Sequence, residues 1–192
     1  MVQETARLFI ALDFDAATKE RIALIQNTLR QSQSLKASWV AEDNFHLTLK
    51  FLGDTPKNKL PIITDVITGA CKDIQRIPCT ITEAGSFPPH HCPRVVWVGI
   101  EHGNDEISAL AHAVENALSK IGFKKEKRAF ASHITIARVK NMLNYRDFQK
   151  TLSAVNENFQ PISFTFETVT IFESTLTPTG PLYKGLSRLS LA

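Results

Sequence analysis

Long apolar runs are missing from this chain: stretches such as Leu8–Leu12 fall far short of the ~18 residues needed to cross a bilayer. Residues 1–14 also have no basic start, extended apolar run and small-residue cleavage site. The expectation is a soluble, cytoplasmic protein. Cysteine is scarce, and Cys71, Cys79 and Cys92 are odd in number with no CxxC pair. That excludes a disulfide framework and leaves reduced, mostly buried thiols as the expectation. There is no GxxxxGK[ST], no GxGxxG and no GxSxG. Enzymes built on a phosphate-cradling loop, a dinucleotide turn or a nucleophile elbow are therefore disfavoured. His90-His91-Cys92 has the residue types of a metal cluster, but adjacent side chains on an extended chain point opposite ways, and no second pair has zinc spacing.

Neither sign of charge dominates. Twenty-two Lys+Arg face nineteen Asp+Glu, a net +3 that suits an anionic substrate without requiring one. With 43% hydrophobic and 21% charged residues the chain is able to build a core, which excludes disordered and low-complexity classes. At 192 residues, one domain is the default.

Periodicity predicts a regular order of elements. Arg7–Leu12 reads as a strand, and 16–31 as an amphipathic helix with Ile22, Ile25 and Leu29 on one stripe. Phe45, Leu47, Leu49 and Phe51 alternate with His46, Thr48 and Lys50, which predicts a half-buried strand. A helix over roughly 56–73 and a strand from Ile77 to Ala84 follow. In the second half, 94–100 reads as a strand, 104–121 as a helix, Ser132–Arg138 as a strand and 144–158 as a helix. Ile162–Glu173 reads as one long strand, then a turn over 178–181 and a closing strand from Leu182 to Leu191. The halves overlay at an offset of 87 residues, with Arg7 on Arg94 and His46 on His133. The order of elements predicts an α+β protein of two pseudo-symmetric, intertwined βαβαβ lobes around a central cleft, within one domain spanning 1–192.

Two segments carry the chemistry: His46-Leu47-Thr48-Leu49 and His133-Ile134-Thr135-Ile136. On a strand, residues i and i+2 share a face, so each segment presents an imidazole and a hydroxyl together while its apolar residues anchor the other face. An imidazole titrates near 6.5, so one His is able to accept a proton while the other donates one. Threonine hydroxyls donate to the non-bridging oxygens of a phosphate, where transition-state charge gathers. Together these groups suit displacement at phosphorus without a metal. Arg138, after the second motif, offers a fixed positive charge. Lys50 is expected to be solvated, and His102 and His112 likewise.

The paired motifs resemble those of the two-histidine phosphoesterase superfamily, in its bacterial 2′-5′ RNA ligase and RNA 2′,3′-cyclic phosphodiesterase branch. The likeness runs through Arg7-Leu-Phe-Ile-Ala-Leu12, His46-Leu-Thr-Leu-Lys-Phe-Leu-Gly53, Arg94-Val-Val-Trp-Val-Gly99, His133-Ile-Thr-Ile-Ala-Arg138 and Gly180-Pro-Leu-Tyr183. One departure is Ser132, where the family's pattern has Pro; it relaxes the backbone before the second His without touching the chemistry. The resemblance implies a bilobal fold, no cofactor, and hydrolysis of an RNA 2′,3′-cyclic phosphate end to a 2′-phosphate, tRNA fragments being one candidate substrate. It implies His46 as proton donor, His133 as proton acceptor, Thr48 and Thr135 as their companions, and Arg138 as phosphate ligand. Ligation, the reverse direction, swaps the two His roles. A monomer with no membrane association is expected. Phosphodiesterases of small cyclic nucleotides or of cyclic ADP-ribose phosphate, and a non-catalytic RNA-binding module, stand as alternatives. Phe9 and Phe51 are candidates to stack on a base or to fill the core. The basic run Lys124-Lys125-Glu126-Lys127-Arg128 is a candidate RNA-backbone contact or an ordinary charged loop.

Overall fold

A computed structural model describes residues 4–89, 92–178 and 180–192; His90 and His91, the core of the metal-like cluster, and Thr179 of the 178–181 turn lie outside them. Its elements are β1 (Thr5–Asp13), α1 (Ala16–Gln31), β2 (Leu35–Trp39), β3 (His46–Pro56), α2 (Leu60–Cys71), β4 (Ile77–Phe87) and β5 (Val95–His102). They continue with α3 (Asn104–Ser119), β6 (His133–Met142), α4 (Tyr145–Glu157), β7 (Ile162–Phe166), β8 (Thr168–Thr177) and β9 (Gly180–Ser190). The strands form two antiparallel sheets, β3-β1-β8-β9 and β2-β6-β5-β4-β7. No described helix is long and apolar enough to cross a membrane.

Local chemistry accounts for the ends of these elements. The Asp15 carboxylate caps α1 by accepting from the Thr18 N–H at 2.7 Å, and Asn144 caps α4 through the Asp147 N–H at 3.2 Å. β3 runs on to Pro56, so α2 starts at Leu60, four residues after the predicted opening of a helix at 56. Gly103, at φ 87°, turns the chain from β5 into α3; a Cβ there would sit 2.6 Å from Cys79 Sγ and from the Pro78 carbonyl oxygen. Only glycine fits both the left-handed backbone and that approach. Cys71 and Cys79 are buried as expected, whereas Cys92 is exposed.

The α+β class with two antiparallel sheets is what the structure has, but each half of the chain does not build its own sheet. β4, from the first half, joins β5 and β6; β8, from the second, joins β1 and β3. The helices cross over too: α2 packs on α3, which touches β3, and α1 packs on α4, which touches β4. Residues of both sheets therefore share one apolar core, with Leu8, Ile10, Leu12, Leu47, Ile134 and Ile136 all buried in it. The predicted strand Ile162–Glu173 is in fact two, because the chain leaves one sheet and enters the other at Glu167. The alternation slips there by one residue, from Ile162, Phe164 and Phe166 to Val169 and Ile171, a phase change that the reading as one strand passes over.

Nor does one offset of 87 superpose the halves. Strand register places Asp13 opposite His46 and Gly99 opposite His133. The equivalent of Asp13 is thus Gly99, an offset of 86, while the His residues keep 87. Arg7 therefore matches Pro93 rather than Arg94, and a one-residue slip on a strand puts a side chain on the opposite face.

Candidate active site

Both motif strands carry the same irregularity. On β3, Thr48 pairs with Ala11 and Lys50 with Ile10, so Leu49 is an extra residue. On β6, Thr135 pairs with Trp97 and Ala137 with Val96, so Ile136 is the extra residue. These β-bulges reverse the alternation: Leu49 and Lys50 both turn inward, as do Ile136 and Ala137, and the next residues, Phe51 and Arg138, return to the His-Thr face. Phe51 is accordingly 57% exposed rather than core, and Lys50 is 4% exposed rather than solvated. Strict alternation forecasts the opposite for both residues. At Ile136 the bulge carbonyl is satisfied by a buried side chain, Gln26 of α1, whose Nε2 donates to it at 2.7 Å and to the Val40 carbonyl at 2.8 Å.

The two imidazoles are held alike. His46 Nδ1 lies 2.7 Å from the Asn44 carbonyl oxygen, and His133 Nδ1 lies 2.8 Å from that of Ala131. A carbonyl only accepts, so each Nδ1 carries a hydrogen and each Nε2 is the nitrogen left for chemistry. In the neutral ring of His46 the Thr48 hydroxyl, 3.0 Å away, donates to Nε2. β3 and β6 belong to different sheets yet pack against each other, and the Arg138 charge on β6 is felt at His46 on β3. The two motif strands thus lie against each other, with Arg138 near enough for its charge to act on His46.

The surroundings of the two rings differ. His46 is packed by Phe9 at 4.9 Å, by the edge of Tyr183 at 5.2 Å and by Phe172 at 6.4 Å. Phe9 itself is 2% exposed, so its ring packs the histidine rather than offering an open face to a base. Burial pushes the His46 pKa down; the Asn44 carbonyl and the Asp13 carboxylate oppose this, and Lys19 and Arg138 reinforce it. Asp13 is paired with Lys19 at 2.7 Å. A cavity of about 240 Å³ opens beside His46 between Asn44 and Tyr183, with Lys19 and Arg188 on its wall. His133, by contrast, meets the edge of Phe87 at 5.2 Å, and Phe87 packs on Trp97 at 5.0 Å. Trp97 lies over two glycines: a Cβ at Gly85 would come within 2.4 Å of its ring and one at Gly99 within 2.8 Å.

Asn44, Tyr183, Phe172, Trp97 and Gln26 received no role from the sequence. Tyr183 and Phe172 reach His46 only because β8 and β9 join β1, which no local pattern announces. Asn44 had a faint signal in its place two residues before His46, matched by Ala131 before His133. It also binds the β8–β9 hairpin, its Nδ2 donating to the Pro181 carbonyl at 2.8 Å.

Two halves, each offering a carbonyl-tethered imidazole and a hydroxyl from a bulged strand, define a two-histidine phosphoesterase. The model of the 2′-5′ RNA ligase superfamily matches residues 15–177, and the chain belongs to that family. Among its relatives is an RNA 2′,3′-cyclic phosphodiesterase of Thermotoga maritima, 36% identical in an alignment that covers 94% of this chain and 92% of that one. A protein of the same description from Methanothermobacter thermautotrophicus is 33% identical, covering 92% of this chain and 94% of the other. The fold is also that of Escherichia coli LigT solved with 3′-AMP, at a TM-score of 0.77 and 24% identity over 98% of this chain and 99% of that one.

Proposed function

We propose that this protein hydrolyses RNA ends carrying a 2′,3′-cyclic phosphate to a 2′-phosphate. The observation that carries the reading is the matched pair of bulged His-x-Thr strands, packed against each other and each with its histidine Nδ1 tied to a backbone carbonyl. The reading is supported by the family and by the names of relatives that align along most of the chain. Its setting is the cytoplasm, its form a monomer acting as one domain over 1–192, and 2′,3′-cyclic ends of tRNA fragments are among its substrates.

In the proposed reaction His133 Nε2 takes a proton from water as the water oxygen attacks phosphorus. The P–O3′ bond breaks and His46 Nε2 gives its proton to the leaving 3′-oxygen, so one proton is taken up and one released. Arg138 binds the phosphate through charge-assisted hydrogen bonds. Thr48 and Thr135 donate to its non-bridging oxygens. His46 and Thr48 are coupled in this scheme. When His46 is neutral, the Thr48 hydrogen points at Nε2; when Nε2 is protonated it becomes the donor, and the hydroxyl hydrogen turns to the phosphate. Burial favours the neutral ring in the free protein, and a bound phosphate anion beside Nε2 restores the proton. Substrate thus charges its own acid. With a 5′-hydroxyl in place of water as nucleophile, the same steps join the cyclic phosphate end to it through a 2′-5′ linkage, and cleavage of that linkage by the 3′-hydroxyl exchanges the two roles.

The test is turnover of a short RNA ending in a 2′,3′-cyclic phosphate, with EDTA present, by wild type, His46→Ala and His133→Ala. A 2′-phosphate product, with each substitution costing ~100-fold or more, is the expected result. No turnover of that RNA, or indifference to both substitutions, overturns the proposal.

A further inference from the structure

Lys50 is the oddest consequence of the first bulge. A lysine two residues past Thr48 is turned away from the cleft and buried at 4% exposure. Its Nζ donates to Glu115 Oε1 at 2.8 Å, to Glu126 Oε1 at 3.1 Å and to the Lys124 carbonyl oxygen at 2.8 Å. Glu115 also accepts from the Glu126 N–H at 2.7 Å, which lowers the Glu115 pKa along with the Lys50 bonds, against its desolvation. Lys125 adds a bond from its Nζ to Asn116 Oδ1 at 2.5 Å. The segment between α3 and β6 is therefore gripped from beneath, and the one acidic side chain in the run 124–128 is drawn toward Lys50.

What remains on the outside is cationic. Lys124, Lys125, Lys127 and Arg128 are all exposed, and Glu126 is the sole anion among them. The strip is tied to both motif strands. It is bonded to the residue two past Thr48, and Arg128 precedes His133 by five residues, at most ~18 Å of extended chain. A fixed row of cations at that distance from a phosphate-cleaving cleft matches the next phosphates of a polyanion whose end occupies the cleft.

We propose that residues 124–128 form a preorganised platform for the RNA backbone upstream of the cyclic phosphate, anchored by Lys50 and Glu115. The inference rests on the proposed function and adds to it: RNA of several nucleotides, not a lone cyclic nucleotide, is the substrate class the surface fits. The platform binds phosphates and reads no bases, so it adds affinity without sequence preference.

The experiment compares wild type with the triple variant Lys125→Gln, Lys127→Gln, Arg128→Gln on two substrates. One is a ten-nucleotide RNA ending in a 2′,3′-cyclic phosphate, the other a 2′,3′-cyclic mononucleotide. The variant is expected to lose about tenfold in kcat/KM on the RNA at ~150 mM salt and nothing on the mononucleotide. The slope of log kcat/KM against log salt for the RNA should flatten by roughly two, at ~0.7 per lost single-strand contact. Direct binding of an RNA ending in a 2′-phosphate, measured by anisotropy, should weaken in parallel. Equal turnover of the RNA by both proteins, or an equal loss on both substrates, overturns the platform and leaves the cleft reading standing. Failure of the wild type on both substrates overturns the cleft reading itself. A platform serving a protein partner would leave RNA binding untouched, which is again the overturning result.

Discussion

His46 and His133 sit on strands with the same bulge, the same Nδ1 tether and a threonine at the same distance along the chain, yet their neighbourhoods are opposites. Across β1 the first motif meets Asp13, Ala11 and Phe9; across β5 the second meets Gly99, Trp97 and Val95. The residue returned to the cleft by the bulge is Phe51 on one strand and Arg138 on the other. Even the bracing differs, since the helix of the opposite half contributes neutral Gln26 behind one motif and anionic Glu115 behind the other. Backbone symmetry thus sets where two imidazoles stand, and the side chains around them divide the labour. In the proposed reaction the half with Phe9, Phe172 and Tyr183 around its imidazole would meet the sugar and base, and the half with Arg138 the phosphate.

The largest effects should come from breaking the shared part of the comparison. Replacing either imidazole by asparagine keeps a polar side chain but removes proton transfer, and single-turnover rates should fall by ~10² to 10⁴. Arg138→Gln comes next. Loss of a charge-assisted phosphate contact of about 1.5–3 kcal/mol predicts roughly a 10- to 100-fold drop in kcat/KM, whereas Phe51→Gln should act mainly on KM and only with substrates that carry a base. Equal responses of the two variants across substrates with and without a base would remove the division of labour.

Stability should also separate the lobes. Gly85→Ala drives a methyl into the Trp97 ring, and we expect a loss of about 1–3 kcal/mol in urea unfolding. Gln26→Leu strips two buried bonds from the Val40 and Ile136 carbonyls and should cost about 1–3 kcal/mol. If the bulge matters to the site, kcat/KM of Gln26→Leu will fall further than its stability explains at temperatures where it is fully folded.

The smallest expected effects are in pH profiles. Because burial lowers the His46 pKa in the free protein, an acid role for it places the alkaline limb of kcat/KM below the ordinary histidine value of about 6.5. The limb of kcat, which reports the complex, should lie higher. Asp13→Asn removes a charge that favours the imidazolium and should move the kcat/KM limb further down. An upward move would assign that limb to another group. The same shift has a stability sign. Unfolded His46 binds protons more readily than folded His46, so its contribution is complete above about 6.5 and declines as pH falls through the lower folded pKa. A His46→Gln variant should show a shallower loss of stability below pH 6.5.

How much of this was legible beforehand depends on the range of each interaction. The motifs, the helices and most strands were readable because hydrophobic period and capping act over a few residues. Lys50 and Phe51 were misplaced because a bulge is a property of two paired strands, and a single strand's alternation does not record it. The break at Glu167 leaves only a one-residue slip of the apolar pattern between Phe166 and Val169, which a bulge within a single strand also produces, so the sequence does not tell a change of sheet from a bulge.

By itself the chain determined which residues are proposed to carry the chemistry: two His-x-Thr segments, an arginine after the second, and apolar faces that oblige those segments to lie as strands with their polar side chains together. Tertiary structure alone decided how the halves interlock, which side chains surround each imidazole, and that Lys50 anchors a loop instead of facing solvent. The physical reason is that period and polarity are written along the chain, whereas desolvation, strand register and charge pairing arise only between segments that folding brings into contact.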